Sequence, residues 1–248
     1  MQIFSRRKLT LFYLILFFFG NIAFSQSISV SFGPQYGAYD MEQLSELQNE
    51  ERLTNIDTLG VFQIETVYDF PPHIGFRLNF DYGKNKHRFG TGLTFNSTGG
   101  RLSYADYSGI IQIDKLATCT ALLLSYKNNL IAKTNFIISG GALIGGGFSK
   151  LKNSNMVQIY ISDEVKNESK EYQSFDLLIT PEISLSYFFF NSFYTEIYGG
   201  YALQVASSEL KNSSTNEVLT LENSDPVQLQ WSGYRVGVNI GYKINFKK

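Results

Sequence analysis

One cysteine, one tryptophan, two histidines and five prolines are spread over 248 residues. A lone Cys119 makes no internal disulfide, and it lies too far from the N-terminus to be a lipid-modified first residue. His73 and His87 lack the paired spacing of a histidine metal site. Long apolar runs are scarce as well. The richest one past the N-terminus, Leu177 to Phe190, is interrupted by Thr180, Pro181, Glu182 and Ser184. No helix of about 20 apolar residues is therefore available there to cross a bilayer. Glycine runs at Gly140–Gly141 and Gly145–Gly147 lack the Lys-Ser/Thr ending of a phosphate loop, and glycine on a crowded or bending strand accounts for them.

The N-terminus has what a secretory signal needs. Arg6, Arg7 and Lys8 precede an apolar stretch from Leu9 to Phe19, and Ala23-Phe24-Ser25 offers small residues where a signal peptidase reads. The apolar stretch is about 11 residues, well short of a spanning helix. Cleavage after Ser25 is expected, leaving residues 26–248 as one domain. Without the three signal cations, about 18 basic residues face 22 acidic ones. That balance gives no footing for nucleic acid.

What the mature part has in abundance is two-residue alternation. From Tyr234 to Phe246, Tyr234, Val236, Val238, Ile240, Tyr242, Ile244 and Phe246 share one strand face, and Arg235, Gly237, Asn239, Gly241, Lys243 and Asn245 share the other. The same period recurs near Ile28–Ala38, His73–Tyr82, from Phe89, Leu116–Tyr126, Leu130–Phe148, Ser174–Phe189 and Phe193–Val205. Eight such segments behind an export signal predict an all-β, antiparallel transmembrane β-barrel of about eight strands, with ten possible through Val61–Phe70 or Met156–Ile161.

The spacing between segments supports this. Gly83–Arg88, Lys127–Asn129 and Phe190–Ser192 are short, whereas Tyr39–Pro72, Thr98–Lys115, Ser149–Gln173 and Ala206–Gln230 are long. Short periplasmic turns and long external loops are expected of such barrels. A short helix from Met41 to Gln48 is expected in the first loop, capped by Asp40. Aromatic residues near strand ends (Tyr36, Tyr39, Tyr82, Tyr126, Tyr187 to Phe190, Phe193, Tyr194, Tyr242, Phe246) are expected to form girdles at the lipid–water boundaries.

The facing rule sends Arg77, Asp81, Asp176, Glu182, Glu196, Arg235 and Lys243 inward. An eight-strand bore is just wide enough for side chains to fill, and charges buried there must pair. A lumen charge network of these seven residues is the expectation, with a proton or solute path as the alternative. Catalysis would need a base beside a nucleophile or water. His73 with Asp69, or His87 with Ser31 or Asp81, are the candidates, and the sequence does not bring them together. No catalytic, cofactor-binding or metal-binding residue is assigned.

The signal ending Phe24-Ser25-Gln26, the run STGGRLSYADYSG (Ser97 to Gly109) and the end GYKINFKK (Gly241 to Lys248) resemble outer-membrane β-barrel proteins of the Bacteroidota, a group that includes the PorT-like proteins. The resemblance implies an integral protein of the cell outer membrane, with membrane lipid as its surroundings. The expected role is a monomeric structural or binding protein that meets an extracellular ligand or protein through its external loops. A narrow channel or an accessory of a transport or secretion system is the second possibility, and a membrane-embedded hydrolase the third.

Overall fold

Alternation turns into strands nearly everywhere it was written. A computed structural model describes residues 27–59, 64–107, 109–160, 164–190 and 192–246. In chain order the elements are β1 (Ser27–Gly37), α1 (Glu42–Leu59), β2 (Glu65–Tyr68), β3 (His73–Lys84), β4 (His87–Ala105), β5 (Gly109–Ala132), β6 (Phe136–Ile159), β7 (Glu164–Phe188), β8 (Phe193–Ser207), β9 (Lys211–Asn212) and β10 (Gly233–Asn245). The expected signal segment, 1–25, lies outside the described residues.

Strand β1 pairs antiparallel with both β3 and β10. From β3 the pairing passes through β4, β5, β6, β7 and β8 and reaches β10 again. The eight long strands thus form a barrel-like circuit in which each has a partner on either side, leaving little unpaired backbone along the wall. The short β2 and β9 attach to β4 and β7 from outside this circuit. They bring the sheet to ten strands.

The two faces of the wall are inverted relative to a water-soluble protein. Phe32, Phe76, Leu93, Leu122, Ile144, Phe148, Ile183, Ile197, Val236 and Ile240 are exposed on the outside, Phe148 by 69% and Ile240 by 70%. The alternate positions on the same strands are polar and buried, among them Ser31, Gln35, Arg77, Asn79, Thr94, Asn96, Ser125, Glu182, Ser184, Glu196 and Asn239. Single exposed apolar residues are ordinary, but a continuous greasy belt over a polar interior is not.

At one end the connections are short: residues 85–86, 133–135 and 189–192 join β3 to β4, β5 to β6 and β7 to β8. Asn85 takes a left-handed backbone, φ 57°, which its short polar side chain tolerates in a tight turn. At the other end two of the expected long loops are mostly strand. Residues 98–115 continue β4 into β5 with only 106–108 between them, and 149–173 carry β6 into β7 with only 160–163 between them. The ladders explain why, since β4–β5, β5–β6 and β6–β7 stay paired residue by residue to their tips. The wall is consequently tall on one side, with β5, β6 and β7 spanning 24, 24 and 25 residues, whereas β1 and β10 span 11 and 13.

The turn expected at Lys127–Asn129 is instead part of β5, which runs on to Ala132, and the bend falls at Lys133–Asn135. Leu130 accordingly belongs to β5 and does not begin β6. The helix is longer than expected and starts one residue later, at Glu42. Asp40 is not its cap; its backbone N–H instead donates to the Ser232 carbonyl at 2.9 Å, tying the loop to the end of β10.

Candidate functional site

The bore holds two layers of different chemistry. Toward the short-turn end, inward positions on β3, β4, β5, β7 and β8 place a chain of alternating charges. The Arg77 guanidinium pairs with Glu182, the Lys127 ammonium lies 2.9 Å from Glu182 and 3.1 Å from Glu196, and Arg88 reaches Glu196 at 3.4 Å. Ser186 also donates to Glu196, at 3.1 Å. Arg77 donates a further hydrogen bond to Asn79, at 2.7 Å, and lies over the Tyr198 ring at 4.5 Å. Buried ions are tolerated when each has opposite charges and hydrogen bonds around it, as here. Glycine makes room for this layer: a Cβ at Gly237 or Gly241 would run into the ring of Tyr198 or Tyr194.

Toward the other end the bore is apolar and is filled by loops. Met41, just before helix α1, and Leu44 and Leu47 within it turn inward, and residues 208–232 contribute Leu210, Leu221, Val227, Leu229 and Trp231. All of these are buried, Trp231 completely. They pack on Ala117, Cys119, Ala121, Leu123, Leu143 and Leu178 of β5, β6 and β7. Polar groups fasten this plug to the wall. The Trp231 indole N–H donates to Ser149 at 2.8 Å, and Ser149 in turn donates to Asp176. Gln204 works like a spare strand edge: its Nε2 donates to the Leu229 carbonyl at 2.7 Å, and its Oε1 accepts from the Trp231 backbone N–H at 2.6 Å. Higher up, Lys115 pairs with Glu51 of α1.

The seven charges expected inside therefore divide by place. Arg77, Glu182 and Glu196 belong to the ion chain. Asp81 is buried beside it and accepts from Ser125 at 3.2 Å. Asp176 sits in the apolar layer, accepting from Ser149, from Ser207 at 2.6 Å and from Gln204 at 3.2 Å. Arg235 lies over the Tyr39 ring at 4.8 Å and donates to the Trp231 carbonyl at 2.7 Å. Lys243 stands apart at the short-turn mouth. Sequence reasoning missed Lys127 and Arg88, because both fell in segments expected to be turns. The alternation of β5, carried one step past Tyr126, would have pointed Lys127 inward.

Between the two layers lies a void of about 20 Å³, lined by Gln35, Arg77, Thr94, Glu182 and Arg235 among others. That is room for about one water. The candidate histidine pairs do not assemble. His73 lies on the surface with Ser97 at 3.4 Å, while Asp69 accepts from Ser45. His87 is exposed with Tyr126 at 2.9 Å. Of the aromatic residues expected at the lipid boundaries, Tyr36, Tyr126, Tyr187, Phe189, Phe190, Phe193, Tyr242 and Phe246 are exposed. Tyr194 is a correction, since it is buried and faces the bore, and so is Tyr39, which packs edge-on against Trp231 at 5.0 Å.

No protein-family model matches the chain, and no curated protein matches it either. Solved structures similar to it include the attachment invasion locus protein Ail of Yersinia pestis in complex with the heparin analogue sucrose octasulfate, at 13% identity over 89% of this chain and 99% of that one, TM-score 0.43. OprG from Pseudomonas aeruginosa is similar at 13% identity over 90% and 97%, TM-score 0.45. The outer membrane protease OmpT from Escherichia coli is similar at 10% identity over 90% and 98%, TM-score 0.32.

Proposed function

We propose that the chain is an integral outer-membrane β-barrel whose bore is closed and whose work is done at its external face, as a scaffold for binding. The observation that carries the first half is the inverted wall: apolar side chains exposed all round, polar and charged ones buried within. Hydrocarbon is the surrounding that makes such an arrangement favourable, because Arg or Lys turned to mid-bilayer lipid costs roughly 2–4 kcal/mol and apolar side chains cost nothing there. In this reading residues 1–25 act as the export signal, the protein is a monomer in membrane lipid, and its motifs resemble those of the Bacteroidota group.

The filled bore supports the second half. An ion chain and a loop plug in series leave a cup at one end and a raised, asymmetric wall at the other. Rigid walls carrying irregular segments are where recognition sites are commonly held. An extracellular ligand or protein is thus the expected partner, and no cofactor is needed for this role. The experiment is a planar-bilayer recording with purified protein. A silent membrane, with the protein shown to be folded by its heat-dependent gel mobility, agrees with a closed scaffold. Stable, reproducible conductance steps would overturn it in favour of a channel.

A further inference from the structure

We propose that the bore's mouth at the short-turn end is a binding site for a small oxyanion, a phosphate or carboxylate group held between Arg88 and Lys243. This goes beyond the scaffold role and depends on the geometry of the bore, not on the membrane around it.

The mouth is a cup of about 240 Å³ to which all eight long strands contribute a lining residue. At ~30 Å³ per liquid water it has room for about eight waters. Among the described residues its charged lining is cationic: Arg88 and Lys243, with no carboxylate beside them. Ser29, Asn129, Tyr194 and Asn245 surround them with hydroxyl and amide groups, which suit an oxyanion's remaining lone pairs.

Both cations are short of partners. Among the described residues Lys243 has no salt bridge, and its ammonium lies 5.5 Å from the Phe188 ring. Arg88 is largely buried and spends one nitrogen on Ser139, at 2.7 Å, and another on Glu196, at 3.4 Å, while its Nε is buried without a hydrogen-bond partner. Glu196 does not satisfy this end of the bore, because it is already shared with Lys127 and Ser186. Across the lower bore Arg77, Arg88, Lys127 and Lys243 face Asp81, Glu182 and Glu196. Among the described residues, four cations against three carboxylates leaves one positive charge over, and Lys243 is where it stands. An anion seated between two cations in a recessed cup gains charge-assisted hydrogen bonds, which are shorter and stronger than neutral ones.

The test is calorimetric titration of inorganic phosphate into the purified protein in detergent micelles, with chloride at equal ionic strength as reference. Saturable binding is expected. It should weaken tenfold or more in Lys243→Gln, stay within about threefold in Lys243→Arg, and be unchanged in Arg101→Gln on the opposite rim. Heat-dependent gel mobility verifies that each variant is folded. Acetate, and a short peptide with a free or an amidated C-terminus, separate a free ion from a chain-borne carboxylate. Binding of phosphate, acetate or the free-acid peptide with the Lys243 dependence carries the proposal. No saturable binding above chloride to any of these probes, or equal affinity in Lys243→Gln, overturns it.

Discussion

Replacing Lys127 by methionine keeps the length and the apolar stem of the side chain and removes only its charge. The ammonium bridges Glu182 at 2.9 Å and Glu196 at 3.1 Å, with 3% of the side chain accessible to solvent. Removing one partner of a buried pair leaves uncompensated charge and costs about 3–5 kcal/mol. Glu182 keeps Arg77, and Glu196 keeps Arg88 and Ser186, so the loss belongs at the lower end, about 3 kcal/mol. The assay is equilibrium urea unfolding in detergent or lipid, followed by fluorescence of Trp231, the only tryptophan. Lys150→Met, on the exposed outer surface, is the reference, and a surface change of that kind stays within about 0.5 kcal/mol. A double-mutant cycle with Glu196→Gln isolates the pair. Residues in one ion network show coupling of about 0.5–3 kcal/mol. If Lys127→Met costs no more than the Lys150 reference, or the two changes add without coupling, the ion chain is not what holds this layer together.

Other perturbations address the remaining layers. Ile240→Lys puts a cation near the middle of the greasy run of β10, where 70% of Ile240 is exposed, and should cost roughly 2–4 kcal/mol in lipid; a neutral result in lipid-embedded protein would mean this face does not meet hydrocarbon. Trp231→Ala empties the centre of the plug and should cost about 3–5 kcal/mol, with proteases cutting within residues 208–232 before any strand; protection equal to wild type contradicts a docked plug. In the unaltered protein Trp231 emission should be blue-shifted and resist acrylamide quenching, as its complete burial requires. Replacing residues 40–70 by a short Gly-Ser linker removes Leu44 and Leu47 from the bore, and brief conductance openings should appear in planar bilayers; continued silence would assign the closure to the ion chain and the remaining loop.

The parts of the fold legible in sequence are those where lipid-facing and bore-facing residues have to differ. Strands such as β1, β3, β7 and β10 have that contrast, and their inward charges could be read off directly. It fails in two physical situations. Above the apolar belt, both faces of the wall meet water, so stretches such as Lys166 to Glu171 are polar throughout and look like loop, although their backbone pairs with β6 at every step. Near the short turns, a polar run hides where a strand ends: Tyr126-Lys127-Asn128-Asn129 resembles a turn, and that cost the recognition of Lys127 as a member of the ion chain. The plug had a signal that alternation alone could not interpret. Val227, Leu229 and Trp231 are every second residue of a segment that is no part of the wall, and only the three-dimensional circuit shows that their apolar side points into the bore.

The uneven height of the wall has a further consequence. At ~3.3 Å per residue, the 24 residues of β6 measure about 80 Å and the 13 of β10 about 43 Å. Even tilted, one flank rises like a tower above whatever surface the shorter flank reaches. A large body drifting across that surface would collide first with the tower's broad side, near the tips of β4 to β7. An approach straight down the axis would meet the crown of α1 and residues 208–232. The molecule therefore offers two distinct orientations for encounter, and mutations that abolish one need not disturb the other.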